Sequence, residues 1–206
     1  MAQSSTTLIG QTTMETVSAR ATISFNSTEK KVSDSDNGFG NLVVNDIVTI
    51  SGTSKNNGDF TITAVATDGS HFTVAETINK LDNGDEETAD GSTNFTVTQT
   101  GLVSDKVAGD GYYSQPDGVH TVAYQITNTV PVTANFRMQG SLATTPTESD
   151  WFDITGSGLT PDLSTLGFYA NFTGNFVWVR CKATGITAGA ITKVLNEYWD
   201  NNLVTA

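Results

Sequence analysis

Sulfur, imidazole and positive charge are all scarce in this sequence. Its single cysteine, Cys181, excludes an intramolecular disulfide framework and a cysteine-rich zinc site. Cys181 sits in an alternating stretch, where a thiol serves as a small buried apolar group. The two histidines, His71 and His120, have no metal-type partner at i+2 or i+4, and no HExxH occurs. Both read as ordinary strand-end residues. Lys and Arg number 10 against 22 Asp and Glu, a formal net charge of -12. That field repels phosphate and anionic lipid, so neither nucleic acid nor a membrane is an expected partner. No apolar run is long enough to span a bilayer. The opening MAQSSTTLIGQTTMETVSAR lacks the basic and apolar regions of a secretory signal. Charged residues are 16% of the chain, below the ~25% usual for globular domains, which disfavours long helices with charged outer faces.

What is abundant is threonine, with valine, phenylalanine and isoleucine. This is strand composition, and the expected fold class is all-β. Residues 1–20 show no sustained period and read as a flexible N-terminal arm that orders on a partner. From 21 to 100, short alternating segments are separated by turn signals. NDIVTISG is apolar on both sides, as a central strand is. GDFTITAVA places Phe60, Ile62 and Ala64 inward, and Asp68-Gly69 joins it to HFTVAE as a type I′ hairpin. Five or six such strands indicate a small β-barrel or sandwich. Residues 101–118 are rich in Gly and Asp and read as a linker. Residues 119–206 carry longer strands and are expected to form a jelly-roll-like antiparallel β-sandwich. There HTVAYQITN buries Val122, Tyr124 and Ile126, while TANFRMQG buries Ala134, Phe136 and Met138.

The sequence holds no GxSxG elbow, P-loop or GxGxxG, so no enzyme, catalytic residue or cofactor is expected. Carboxylates cluster at Asp34–Asp36 and Asp82–Asp90 in Gly-containing loops, the oxygen-rich setting that calcium uses, but neither run fits an EF-hand. Solvated acidic turns are the simpler account, and no metal is expected. Asp150 and Asp153 flank Trp151, a spacing a glycosidase pair could use, though it equally suits a strand entry. Trp151, Trp178, Tyr169, Tyr112, Tyr113 and Trp199 could stack on sugar or fill cores and interfaces.

One stretch raises a sharper question. In FVWVRCKAT, residues 176–184, Val177, Val179 and Cys181 line one face, yet Phe176 and Trp178 make the opposite face apolar too. Either another layer of the chain or another molecule must cover them. Aromatics edged by an arginine are what interface hot spots are made of, so Phe176, Trp178 and Arg180 are the candidate partner-interface residues.

Three segments carry a resemblance: NDIVTISGTSKNNGDFTITAV, MQGSLATTPTESDWFDI and GNFVWVRCKATGITAGAITKVLNEY. They resemble segments of virion structural proteins of tailed bacteriophages, particularly phages of marine bacteria. The likeness implies a non-enzymatic capsid decoration (cement) protein on the capsid exterior, with the major capsid protein as its partner. It also allows a tail or fibre component, or a carbohydrate-binding receptor module. A symmetric homo-oligomer, with a trimer as the expected state, would fit such a part.

Overall fold

The computed structural model describes residues 4–10, 12–13, 16–113, 118–126, 134–160, 167–186 and 190–199. They form antiparallel strands with two short 3₁₀ turns, and no α-helix occurs among them. The chain is all-β, as the composition indicated. It divides into two compact units: an inserted unit, Met14–Leu102, and a discontinuous one made of Met1–Thr13 and Val103–Ala206.

In chain order, β1 (Ser4–Ile9) and β2 (Thr12–Thr13) belong to the discontinuous unit. The inserted unit follows with β3 (Thr16–Arg20), β4 (Ile23–Asn26), β5 (Lys31–Asp34) and β6 (Asp46–Ser51). It continues through β7 (Gly58–Val65), β8 (His71–Val74) and β9 (Phe95–Val103). The discontinuous unit then resumes with β10 (Val107–Ala108), β11 (Val119–Ile126), β12 (Asn135–Ser141) and β13 (Phe152–Asp153). Last come β14 (Gly167–Thr173), β15 (Trp178–Thr184) and β16 (Ala190–Trp199).

Strands of the inserted unit are ordered β9-β6-β7-β8-β5-β4, and β3 also pairs with β9. The sheet curls, because Phe25 of β4 and Phe95 of β9, from its two ends, bring their rings to 5.7 Å. Period-2 alternation supplies the interior: Ile23, Val32, Ile50, Phe60, Ile62 and Phe72 all point inward and are buried. Each such side chain contributes roughly 1.5–3 kcal/mol of transfer free energy. NDIVTISG is buried on both faces, since Ile47 and Val48 are both inaccessible.

Two local expectations are corrected. Ala64 is exposed, because a register shift between Ile62 and Ala64 against β8 turns it outward. The turn between β7 and β8 is longer than two residues. Ala66 N–H donates to His71 O and Gly69 N–H to Ala66 O, both at 2.9 Å, and only Gly69 takes a positive φ there, where type I′ needs two.

The discontinuous unit is a sandwich. One sheet runs β1-β16-β11-β14, with β2 also on β16; the other holds β13-β12-β15, with β10 on the far edge of β15. Val122, Tyr124, Phe172 and Val194 of the first sheet are buried, as are Phe136, Met138, Val179 and Cys181 of the second. Tyr124 bridges the layers. Its ring lies 5.4 Å from Phe136, and its hydroxyl donates to Ser157 O at 2.7 Å. Burial pushes that phenol well above its ordinary value, which keeps it a donor at all working pH.

The domain limits read from sequence shift accordingly. The expected flexible arm, 1–20, contains β1 paired with β16 and β3 paired with β9. Low side-chain hydrophobicity hid these strands, because a polar edge strand is held by its backbone ladder. The expected linker, 101–118, contains the end of β9, β10 and a 3₁₀ turn, Asp110–Tyr113, with Asp110 fully buried; 114–117 lie outside the described residues. The Ile126 side chain lies outside them too.

Candidate functional site

The outward face of β12 and β15 carries the residues that the sequence singled out. Alternation places 178, 180, 182 and 184 of β15 on one side, and register sets Ser141 beside Trp178, Gln139 beside Arg180, Arg137 beside Lys182 and Asn135 beside Thr184. Each pair is one rung of a ladder across the face.

Phe176, just before β15, is buried at 8% exposure. Its ring lies 6.0–6.2 Å from His120, Phe152 and Phe172. It needs glycines around it: a Cβ on Gly140 would come within 2.7 Å of the ring, and one on Gly174 within 2.2 Å. Its backbone N–H donates to Asp110 Oδ1 at 2.9 Å. Asp110 also accepts from Gly111 N–H at 3.0 Å and Gly118 N–H at 3.2 Å, and stands 3.5 Å from His120 Nε2. His120, the second residue of β11, is a strand-end histidine as expected, and it is also fully buried and stacked on Phe172 at 5.0 Å.

Trp178 is partly covered by Tyr112, whose ring is 4.6 Å away, and by Lys106 Nζ, 4.4 Å from its centroid. The indole N–H donates to Thr144 O at 3.0 Å. Arg180, 7% exposed, donates from Nε to Gln139 Oε1 at 2.9 Å and from its terminal nitrogens to both oxygens of Glu148, at 2.9 and 2.8 Å. Its guanidinium lies 4.1 Å from the Trp151 centroid. These hydrogen bonds hold the Glu148 carboxyl below its ordinary range, against the opposing effect of burial.

The patch proposed for a partner is thus covered from within the same unit. Phe176, Trp178 and Arg180 are satisfied by Asp110, Tyr112, Lys106, Gln139, Glu148 and Trp151. Of the two covers that the sequence allowed over FVWVRCKAT, another layer of the chain is present. Residues 101–118 and 142–151, read as linker and loop, supply the missing layer.

The open part of the face lies one rung further on. Arg137 and Lys182 are cross-strand neighbours, two cations side by side on a chain with few. Like charges in that position repel unless a counter-charge intervenes. Asp153 of β13 is that counter-charge, accepting from Arg137 at 3.0 Å and from Gln139 Nε2 at 3.0 Å. Beside it runs an open polar cleft of about 410 Å³, bounded by Arg137, Asp153, Gly156, Gly158 and Thr160. Alternation leaves Arg137 between the buried Phe136 and Met138, but its cross-strand register with Lys182 is a relation that a single strand does not reveal.

The other candidates are placed as follows. Asp150 accepts from Thr147 N–H and Oγ1 at 2.7 Å, capping the 3₁₀ turn Glu148–Asp150, while Asp153 serves Arg137 and Gln139. The two carboxylates are thus committed to separate local donors. In the acidic loops, Asp34 accepts from Thr22 Oγ1 and the Asp36 and Gly38 N–H groups, with Arg20 at 3.4 Å. Burial pushes its carboxyl up, but these donors outweigh that and leave it below the usual range. Glu87 is buried and fastens the 53–58 loop by accepting from Ser54 and Lys55 N–H and Asn56 Nδ2. Glu86 accepts from Ser27. No group of three or more His, Cys, Asp or Glu placed to hold a metal occurs among the described residues. Cys181 is fully buried, and burial pushes its thiol far up. Tyr169 is 67% exposed on β14, the freest aromatic of the set; the side chains of Tyr113 and Trp199 lie outside the described residues.

The fold defines an all-β protein of two units, one of them a sandwich interrupted by the other. Comparison with protein-family models, with curated proteins and with solved structures finds no match. No helix among the described residues is long and apolar enough to cross a membrane.

Proposed function

We propose that the chain is a non-enzymatic structural component of a tailed-phage particle, most specifically a capsid decoration protein that binds the outer surface of the head. The observation that carries this reading is where the three phage-like segments fall. NDIVTISGTSKNNGDFTITAV makes the β6–β7 hairpin and its Glu87-fastened loop. MQGSLATTPTESDWFDI runs from β12 to β13 and contributes Glu148 and Trp151. GNFVWVRCKATGITAGAITKVLNEY makes β15 and most of β16. The resemblance therefore lies in the framework of both units, which is what a shared scaffold of particle parts requires. A chain with net charge -12 stays soluble until it meets a docking surface.

The test is the copy number of this chain in gradient-purified particles from the producing culture, by quantitative mass spectrometry against the major capsid protein. A number comparable to that of the capsid subunit is expected. Absence from particles would overturn the proposal, and a few copies per particle would move the chain to the tail or fibre.

A second reading, recognition of a host saccharide, draws on the polar cleft at Arg137, Asp153 and Lys182. Two adjacent cations, with one carboxylate paired to Arg137, suit a sugar acid better than a neutral sugar. Glycan-array binding lost in Arg137→Ala and Lys182→Ala would favour it; a blank array with polyuronates included would remove it.

A further inference from the structure

We infer that the outer face of the sheet β1-β16-β11-β14 is a two-fold self-association surface, whose occupant is a second copy of this chain. This concerns the isolated chain and holds whatever particle it joins.

The inward side of that sheet is the sandwich core; its outward side faces solvent. Register aligns Thr7, Leu195, Ala123 and Tyr169 in one row across all four strands. The row runs from an exposed Thr7, through half-buried Leu195 and Ala123, to Tyr169, which is 67% exposed. Leu195, Ala123 and Tyr169 make this row apolar over three of its four strands.

On β16, Lys193 and Glu197 lie two residues to either side of Leu195 on this same face, both half-buried. They are the only charged residues on it among the described ones. Their charges cancel, so the face is neutral on a molecule whose net charge is -12. A second copy therefore meets no net charge repulsion from the described residues of this face.

The spacing adds direction. A two-fold axis lying in the interface, across the strands at the Leu195 row, reverses β16 of the partner copy. Leu195 then faces Leu195 of the other copy and Tyr169 faces Tyr169. Lys193, about 7 Å along the strand from Leu195, faces Glu197 of the other copy, and the reverse pair forms at the same time. Sheets packed face to face cross at about 30°, which offsets each pair sideways by only ~3–4 Å, within reach of a lysine. A contact that is self-complementary under a two-fold axis closes on itself as a dimer. The proposed state is thus a dimer, where the expectation from the sequence was a trimer.

The test uses full-length chain and charge reversal. Sedimentation equilibrium of the wild type at roughly 100 μM is expected to show a dimer. Lys193→Glu and Glu197→Lys, each alone, should weaken dimerisation about tenfold or more, because each places like charges opposite. Mixed one to one, the two single variants should re-associate, since the introduced carboxylate of one then faces the introduced ammonium of the other. Melting temperatures within a few degrees of wild type confirm that each variant folds. A monomeric or trimeric wild type overturns the proposal, as does a mixture of folded variants that stays as dissociated as either alone. Particle copy number is a separate measurement, so the virion role and this dimer can fail independently.

Discussion

Arg180 donates through both terminal nitrogens to Glu148 at 2.9 and 2.8 Å while its guanidinium lies 4.1 Å from the Trp151 ring. Arg180 is buried and Glu148 is about half exposed, so the pair closes a lid over β15 rather than sitting in the core. Arg180→Ala should cost about 2–3 kcal/mol, because Gln139 also loses its donor, whereas Arg180→Lys should cost roughly 1–2 kcal/mol through loss of the fork. The Glu148 carboxyl is held below its ordinary value of 4.5 in the folded state. Its contribution is therefore present above that value and falls away as pH drops below it. Urea melts at pH 7 and pH 3.5 check both statements: the Arg180→Lys deficit should shrink at the lower pH.

Phe176 and Gly140 should behave as one packing unit. Gly140→Ala in the wild type is expected to destabilise by about 1–3 kcal/mol, since its methyl enters the ring of Phe176. Phe176→Ala should cost about 3–5 kcal/mol. In the Phe176→Ala background the added methyl should be neutral or slightly favourable. Additive costs in the double-mutant cycle would show that the two do not meet in solution.

Trp178→Ser should lower stability by about 2 kcal/mol through loss of the Tyr112 and Lys106 contacts and the Thr144 hydrogen bond. Its oligomeric mass should be the same as that of the wild type. A change in mass with unchanged stability would return Trp178 to the role of an interface anchor.

Asp46 gives the inserted unit a pH signature of opposite sign. Burial raises its carboxyl to about 6, against hydrogen bonds from Val43 N–H and Gln99. The folded state thus holds this proton more tightly than the unfolded chain, whose value is near 3.8. Stability should fall as pH rises from about 4 through 6. Asp46→Asn keeps an acceptor for Val43 and should flatten that slope, adding about 1–3 kcal/mol at pH 7.5. Chemical denaturation of both proteins across that range reads the difference directly.

Cys181 should be inert in the native protein. Its thiol is fully buried, and burial disfavours the reactive thiolate. Iodoacetamide at pH 8 should label it only as fast as the unit opens, and stoichiometrically in denaturant.

Much of the fold was legible because alternation survives translation into sheets. The inward sets Phe60/Ile62, Val122/Tyr124 and Phe136/Met138 follow from period-2 reading alone. Ala64 did not, since a register shift is a property of two strands and leaves no mark on one. The strand at Ser4–Ile9 was hidden for a different reason: backbone pairing to β16 needs no apolar side chains. Most instructive is FVWVRCKAT. The sequence located the doubly apolar strand but not its cover, because Asp110, Tyr112 and Glu148 come from segments whose composition resembles linker. The Arg137–Lys182 pair was equally invisible, being a matter of register across 45 residues of sequence.

The pairing of β1 with β16 has a consequence for how the chain is made. Among the described residues, the first strand of the sandwich finds its ladder in the last. On the ribosome, Met14–Leu102 can bury its own core while β1 waits with an unsatisfied backbone and β11–β15 are still being added. Synthesis therefore imposes an order, with the inserted unit maturing first and the sandwich sealing only once β16 has emerged. A chain stopped before residue 190 strands β1, so such incomplete products would be marked for disposal by an exposed, unpaired edge.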